Sequence, residues 1–486
     1  MEFMKKYHKW KGTNTFKNMV DFLQDVIVYF DPDVDGMVSG YFICKYLNSI
    51  GRSYQWYVNS DRKHDWMLNL DKISGKDIIA VDFRITQDKI IDIIKHNCNI
   101  VSIDHHINQD TFIGKQYKNK KGLVINNQYP FEDEDGRYLS GAGVVFETLV
   151  SIDKSFDTVE NRALVGLTLL SDVCDIENPL ARGYLKDLYE HKMKGYIKYL
   201  IEHTLGDVDY GFGVPRLDRK YVDYKFSPAI NSCLRFNKEA DVVNFFLGSG
   251  KLDLGYHKRQ KDLVKAMESV ANVRDFDNLR VVFVKEWEVQ TDEDINIISN
   301  FIGLIASRFL GSNRSVIAYT IGLDENDKKY ISRASFRGNV NGLDYLNAIN
   351  NKVEGIVGIG HPSAFGVVEL NPIKEVFSKI DKVCKEVEGN NVQRLNITPT
   401  MNLSVFASNE GKKYAEYNMY CLAQHNMYIR YLGDNIKVLK NTPNFQNYKV
   451  DGVDVKCFDS NLDFSNGLIY PIFERGYIYY YLQSEN

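Results

Sequence analysis

The side chains best suited to chemistry are acids and histidines that follow apolar runs. Val26-Ile27-Val28-Tyr29-Phe30 leads straight into Asp31-Pro32-Asp33-Val34-Asp35-Gly36, which sets three carboxylates at alternate positions in one short turn. Like charges crowded in this way repel, and a fold tolerates them poorly unless something positive sits between them. Oxygen donors at such density suit a hard or borderline divalent cation. Pro32 restricts Asp31 to an extended conformation, which helps direct the three carboxylates towards one centre. Two later runs end in the same manner. Asp77-Ile78-Ile79-Ala80-Val81 closes on Asp82, and Asn99-Ile100-Val101-Ser102-Ile103 runs into Asp104-His105-His106. A further apolar segment, Arg162 to Ser171, delivers Asp172. Any one of these acids, taken alone, is most often a cap, a turn residue or half of an ion pair. Their repeated placement at strand and helix ends is what points to a site. Several carboxylates with one or two imidazoles suit a pair of divalent ions, Mn²⁺ first and Mg²⁺ as the alternative. Two such ions about 3.5–4 Å apart can clamp a phosphoryl group for in-line displacement.

The elements that must position these groups can be read from periodicity. Short apolar runs at Val26–Phe30, Tyr54–Val58, Asp77–Asp82 and Asn99–Ile103 predict strands. They alternate with helical patterns around Asn18–Gln24, Val38–Ile50 and Thr86–His96. Strands alternating with helices imply an α/β fold with a parallel sheet, whose ligands bind outside the strand carboxyl ends. Leu139–Phe146 reads as a Gly-rich turn opening a helix, and Gly255–Val273 as one long polar connector helix. A second α/β unit starts near Asn278, with strands at Leu279–Val284, Ser315–Thr320 and Tyr330–Phe336 and helices at Ile295–Phe309 and Ile373–Val387. Gly358–Gly366 reads as a Gly-rich loop carrying His361, Glu388–Asn391 as a linker, and the Tyr- and Asn-rich tail as a small β-rich domain. The expected division is 1–250, 251–277, 278–390 and 391–486.

The 486 residues are too many for one core. A net charge of −4 rules out a globally basic protein, so any nucleic-acid contact must come from a local groove. The seven cysteines show no C-x-x-C pair and no zinc spacing, as expected of reduced thiols in a cytosolic protein. The polar N-terminus lacks an apolar core for secretion, and no apolar window is long enough to span a membrane. A soluble, intracellular, cytoplasmic protein without membrane partners is expected. No Walker-type phosphate loop and no Ser/His/Asp or Cys/His nucleophile arrangement competes with the acid cluster.

Taken together, Asp33-x-Asp35-Gly36, Asp82, Asp104-His105-His106 and Asp172 resemble the four motifs of the DHH phosphoesterase superfamily. The chain is more closely similar to RecJ-type single-strand-specific exonucleases over roughly residues 20–380. Leu139-Ser140-Gly141-Ala142-Gly143-Val144 resembles the L-x-G-A-G-V element of that group, and Ile230-Asn231-Ser232-Cys233-Leu234-Arg235 its I-N-A-A-G-R segment, with Cys233 and Leu234 replacing Ala and Gly. Arg259-Gln260 resembles its R-Q, and Gly303–Arg308 its G-I-V-A-S-R. Ser335-Phe336-Arg337 and Gly358–Gly366 resemble the phosphate-contacting elements of the DHH-associated domain, although Ile359 interrupts the usual glycine run. After Trp287, Glu288 stands where these exonucleases often carry His.

The resemblance implies two lobes joined by a long helix around a groove. It implies Asp31, Asp33, Asp35, Asp82, His105 and Asp172 as metal ligands, and Asp104, His105 and His106 as the catalytic motif, with His106 facing the scissile phosphate. Asn231, Arg235, Arg308, Ser335, Arg337, Gly358, Gly360 and His361 are the implied substrate contacts. It also allows an OB-like domain after the second lobe. Arg235, Arg259 and Arg308 could equally be solvated or helix-paired charges, Lys115, Lys118, Lys120 and Lys121 a solvated loop, and the C-terminal tyrosines sheet residues rather than stacking platforms. The expected activity is Mn²⁺-dependent hydrolysis of single-stranded DNA from the 5′ end, releasing nucleoside 5′-monophosphates, with a helicase or single-strand-binding protein as partner. Two alternatives stand beside it: action on short oligoribonucleotides or on cyclic or bisphosphorylated nucleotides, and an inactive single-strand-binding accessory protein.

Overall fold

The run Val26–Phe30 is buried along its whole length because its alternate side chains enter two different cores. Val26, Val28 and Phe30 face one, and Ile27 and Tyr29 the other. A strand apolar on both faces needs layers on both, as in a parallel sheet. The computed structural model describes residues 10, 12–59, 68–106, 114–117, 119–128, 139–172, 174, 179–190, 195–205, 222–311, 313–340, 343–389, 436–442, 445–450, 453–457, 467–474 and 477–484.

The first lobe runs α1 (Thr13–Val20), β1 (Val26–Phe30), α2 (Val34–Ser49), β2 (Tyr54–Val58), β3 (Ile78–Val81), α3 (Gln87–Lys95), β4 (Ile100–Asp104), β5 (Gly114–Tyr117), β6 (Lys120–Asn126), α4 (Gly141–Ile152) and α5 (Val159–Ser171). The sheet order is β2-β1-β3-β4-β6-β5, parallel except where β5 meets β6. The order reverses at β1, which has β2 on one side and β3 on the other. A crevice therefore opens beyond the carboxyl ends of β1 and β3, where open α/β sheets bind ligands. Asp31 and Asp82 follow those two ends. The first helix differs from expectation: it is Thr13–Val20 rather than Asn18–Gln24. Phe16, Met19 and Val20 supply its buried stripe, and the chain turns at Asp21, leaving Phe22 exposed.

The helix Gly255–Ser269 buries Leu263, Val264 and Met267 in a core shared with Phe236 of the first lobe and with the second sheet. It ends at Ser269, short of the expected Val273, because Asn272–Asp275 leaves the helix to become β7. β8 (Leu279–Lys285), β9 (Ser315–Leu323), β10 (Lys329–Arg337), β11 (Ile356–His361) and β12 (Ala364–Leu370) complete a sheet of order β11-β12-β10-β9-β8-β7. Only β8 and β9 run parallel. Leu279 and Val281 enter the core beneath helices Tyr345–Lys352 and Lys374–Gly389, while Val282 and Val284 pack on the connector side. Two expectations change here. Gly358–Gly366 is not a loop but a β11–β12 hairpin turning at Pro362-Ser363, since its alternating Ile359, Phe365 and Val367 suit a sheet. Glu388 and Gly389 belong to a helix rather than a linker, and Asn390 and Asn391 lie outside the described residues.

The tail forms β13 (Ile436–Thr442), β14 (Phe445–Val450), β15 (Val453–Cys457), β16 (Gly467–Glu474) and β17 (Tyr477–Ser484), in the order β13-β14-β15-β17-β16. Counted from β13 this is one-two-three-five-four, with the third and fifth strands parallel and the other pairs antiparallel, the strand order of an OB-type sheet. Tyr480 is buried in it. Tyr414, Tyr417, Tyr420, Tyr428 and Tyr431 lie outside the described residues. Among the described residues, no helix is long and apolar enough to cross a membrane.

Candidate active site

Asp33 is the N-cap of α2, and its Oδ1 accepts from the Gly36 amide at 2.9 Å. That turn closes on itself so tightly that a Cβ at Gly36 would lie 2.3 Å from the Asp31 carbonyl oxygen. Only glycine permits Asp31 and Asp35 to share one turn. Asp35 sits in the first turn of α2, 1 % exposed, and accepts from the amides of Gly141 (2.7 Å) and Ala142 (3.0 Å) at the start of α4. This is carboxylate binding by a helix N-terminus. Gly141 is required for a second reason: a Cβ there would come within 2.5 Å of Asp82 Oδ1. Ser140 caps α4 and is itself held by Thr168. Asp82 has φ +53, a left-handed conformation costly for a non-glycine residue and frequent where a side chain is held for function.

His105 lies between these acids. Its Nε2 is 3.3 Å from Asp82 Oδ1, 3.6 Å from Asp172 Oδ2 and 3.9 Å from Asp35 Oδ2. Asp104 ends β4 and accepts from His106 Nδ1 at 2.8 Å, which leaves Nε2 as the nitrogen able to serve the cleft. Asp172 caps α5, and its Oδ1 meets His361 Nε2 of the second lobe at 3.2 Å. Asp33, Asp82, His106 and Asp172 on one side, and Gly360, His361, Ala364 and Gly366 on the other, line a cleft of about 120 Å³. A water needs roughly 10–15 Å³ by that measure, so the space admits a phosphoryl group with several waters or ions.

The electrostatics follow from crowding. Burial, then the charges of Asp31, Asp172 and Asp35, push Asp33 up to about 7. Burial and Asp172 push Asp35 up to about 7 against the opposing amides of Ala142 and Gly141. Asp82 rises well above the usual carboxylate range through burial and the surrounding acids, Asp35 foremost. For Asp172 burial works upward too, but His361 and His105 overcome it and hold the group below the ordinary range. Burial likewise opposes ionisation of Asp104, and His106 prevails. His361 is raised to about 9, first by Asp172; its ring remains 46 % exposed, so solvent screens the pair. Three acids, Asp35, Asp82 and Asp172, share the one His105 imidazole, with Asp31 and Asp33 in the same turn as Asp35, and the cluster is short of positive charge. Asp82 Oδ1 and His105 Nε2 are buried and make no hydrogen bond. This donor set of carboxylates and imidazole fits a divalent cation.

The second lobe brings its own groups. Arg337 is pushed down to about 10 by burial, and its hydrogen bonds go to neutral oxygens: Ser335 Oγ (2.8 Å), Ser307 Oγ (3.2 Å) and the Phe336 carbonyl (2.7 Å). A desolvated guanidinium so placed is matched to an anion. It pairs in the sheet with Ala364 of the cleft wall. Ser335 is buried between Arg337 and the Phe365 carbonyl. The Asn350 side-chain amide holds the Gly358 backbone at both groups, donating from Nδ2 to its carbonyl (2.9 Å) and accepting from its N–H at Oδ1 (2.8 Å).

Other expected substrate contacts lie elsewhere or are already engaged. Arg308 is 59 % exposed and pairs with Glu268 on the connector helix at 2.9 Å. Arg259 pairs with Glu293 and stacks on Phe236 and Tyr256. Arg235 donates to Gln260 at 2.8 Å, and Asn231 is half-buried on the helix Ser227–Arg235. Lys120 pairs with Asp77, Lys115 lies in β5, and Lys118 is outside the described residues. Two contributors went unassigned in the sequence. The amides of Gly141 and Ala142 hold Asp35, for which the Ser-Gly-Ala-Gly helix start was the available clue. Cys174 donates from Sγ to Asp172 Oδ2 at 3.2 Å, with only its proximity to Asp172 as a clue.

Residues 25–170 match the family described as DHH family, N-terminal domain. No curated protein matches the chain. Among solved structures, RecJ in complex with Mn²⁺ from Thermus thermophilus is 14% identical, with 99% of this chain and 72% of that chain covered and a TM-score of 0.64. Exonuclease RecJ bound to manganese is 15% identical over 80% of this chain and 99% of its own, with a TM-score of 0.53. The Mg²⁺ complex of the Thermus thermophilus protein is 14% identical over 99% and 70%, with a TM-score of 0.55. At these identities the likeness is one of fold.

Proposed function

We propose, from the match of residues 25–170 to the DHH family N-terminal domain and the fold shared with RecJ, that the protein is a divalent-metal-dependent exonuclease that degrades single-stranded DNA from the 5′ end to nucleoside 5′-monophosphates. The observation that carries this reading is the cleft itself. Acids deficient in positive charge line one wall, His361 meets Asp172 across it at 3.2 Å, and Arg337 stands in the sheet behind the second wall. A phosphodiester between two such walls has cationic donors on one side and a place for cations on the other.

Asp31, Asp33, Asp35, Asp82, His105 and Asp172 would hold the ions, Mn²⁺ by preference and Mg²⁺ as the alternative. When bound, such ions neutralise charge on phosphoryl oxygens and acidify water. The remaining roles belong to the chain. The Gly141 and Ala142 amides orient Asp35. Asp104 fixes the His106 tautomer by accepting from Nδ1, which directs Nε2 towards the phosphate. Arg337 and His361 bind phosphate from the second lobe, and the hairpin backbone at Gly358 and Gly360 lets the substrate approach closely. The OB-type strand order of the tail supports a polymeric substrate over a small nucleotide. A helicase or single-strand-binding protein that presents single strands is the matching partner.

The test is hydrolysis of end-labelled single-stranded DNA, duplex DNA and short RNA with Mn²⁺. Mononucleotide release from the 5′ end of single-stranded DNA alone is the expected result. Preference for RNA dimers to tetramers would replace the substrate assignment with short oligoribonucleotides. Tight single-strand binding without turnover would replace the enzyme with an accessory protein.

A further inference from the structure

The roles assigned above leave one half-buried thiol at the centre without a task. Cys174 Sγ lies 3.2 Å from Asp172 Oδ2. The donor atoms of His105, Asp172 and Cys174 all lie within 4.8 Å of one another. His105 Nε2 belongs to a side chain only 8 % exposed, makes no hydrogen bond, and faces Asp172 Oδ2 at 3.6 Å. The other side of the centre is oxygen-rich, with Asp33, Asp35 and Asp82. The centre is therefore chemically uneven: hard carboxylates towards α2 and β3, and one sulfur beside an imidazole at the end of α5.

Carboxylate donors suit Mn²⁺ and Mg²⁺, whereas thiolate with imidazole selects zinc-class ions. We propose that Cys174, with His105 and Asp172, forms a soft corner of this centre that captures a thiophilic divalent cation of the zinc and cadmium class. The inference rests on the metal-centre reading above. The thiol proton passes to solvent as the sulfur–metal bond forms, and no oxidant is involved. An ion held this way occupies His105 and Asp172, two donors that the manganese-class ion also needs. Zinc is then an antagonist of Mn²⁺ at this centre.

The test uses the full-length metal-free protein, titrated with Cd²⁺ and followed by the ultraviolet thiolate-to-cadmium charge-transfer band. Mn²⁺ uptake is measured in parallel by electron paramagnetic resonance. Cys174→Ser and Cys174→Ala are compared with the unaltered chain; serine keeps a donor to Asp172 and alanine does not, which separates a lost ligand from a lost hydrogen bond. In both variants the Cys174-dependent part of the band should vanish and Cd²⁺ affinity should fall about 10–100-fold, while Mn²⁺ affinity is retained. Zinc should release Mn²⁺ from the unaltered chain and do so less readily from either variant. A band unchanged in both variants overturns the proposal, as does a parallel loss of Cd²⁺ and Mn²⁺ affinity, which would mark the thiol as structural. Absence of Mn²⁺ uptake by the unaltered chain, with its Cys174-dependent band intact, would remove the manganese-class reading and leave the soft corner standing.

Discussion

On the first-lobe wall of the cleft, Asp35 is 1 % exposed and held by two helix N-terminal amides. Asp33 and Asp82 beside it are pushed towards neutrality by burial and by the neighbouring acids, while His361 and His105 keep Asp172 ionised. On the second-lobe wall, His361 is largely open to solvent and Arg337 is held by serine and backbone oxygens. The first wall is buried and short of cations; the second is the β11–β12 hairpin carrying His361, with Arg337 on the neighbouring β10. The difference follows from the strands that carry each wall. A parallel sheet collects side chains at its carboxyl edge, whereas an antiparallel hairpin exposes alternate residues on one face. One wall should therefore govern metal uptake and the other phosphate recognition.

Several measurements would break or sharpen that division. Replacing Asp33 and Asp35 together by Ala should lower hydrolysis by at least about 10²–10³-fold and abolish Mn²⁺ uptake in calorimetry; retained hydrolysis would remove the metal assignment. Arg337→Ala should lower kcat/KM about 10–100-fold, the worth of a charged hydrogen bond, with Mn²⁺ uptake unchanged. A loss of both would mean that the two walls are not separable.

Protons compete with cations for Asp33 and Asp35, both held near 7. Mn²⁺ affinity should thus rise between pH 6 and pH 8, by up to about tenfold per pH unit for each proton released. Flat affinity across that window would contradict the crowding account.

Stability of the metal-free protein should move the opposite way. An Asp whose pKa is raised in the folded state binds more protons folded than unfolded. Its contribution is present below the ordinary Asp range and is lost as pH rises towards 7. Asp33→Asn removes the charge while keeping an equally good N-cap, so it should raise Tm of the metal-free protein at pH 8 by roughly 2–4 °C; a fall in differential scanning calorimetry would show that the repulsion is relieved in another way. The smallest effect belongs to Arg308→Ala. Because Arg308 pairs with Glu268 on an exposed surface, stability should shift by no more than about 0.5 kcal/mol and kcat/KM should stay level; a large drop in kcat/KM would return Arg308 to the substrate path.

Much of the first wall was legible in the chain. Asp31 to Asp35, Asp82 and Asp104 to His106 each follow a short apolar run, so local patterning placed them at strand ends, and strand ends of one parallel sheet share an edge. The β11–β12 hairpin was harder. Its glycines resemble a loop in sequence, and only pairing with β12, itself paired with β10, made Gly358–His361 a strand. The connector misled for a similar reason: Val270 to Val273 continues a helical pattern, but β8 offered Asn272–Asp275 an edge to pair with.

The sequence by itself determined the kind of chemistry, since three carboxylates in one turn and a D-H-H run at a strand end demand cations wherever they are placed. It also determined the sheet that gathers them, through runs too apolar to lie on a surface. What tertiary structure alone decided was partnership. Asp35 found its amides 106 residues away at Gly141, Asp172 found His361 in another lobe, and Arg308 found Glu268 on the connector helix. Cys174 became part of the centre only through the position of α5. Such contacts depend on how whole elements pack, and no local pattern encodes which of several similar charges will face one another.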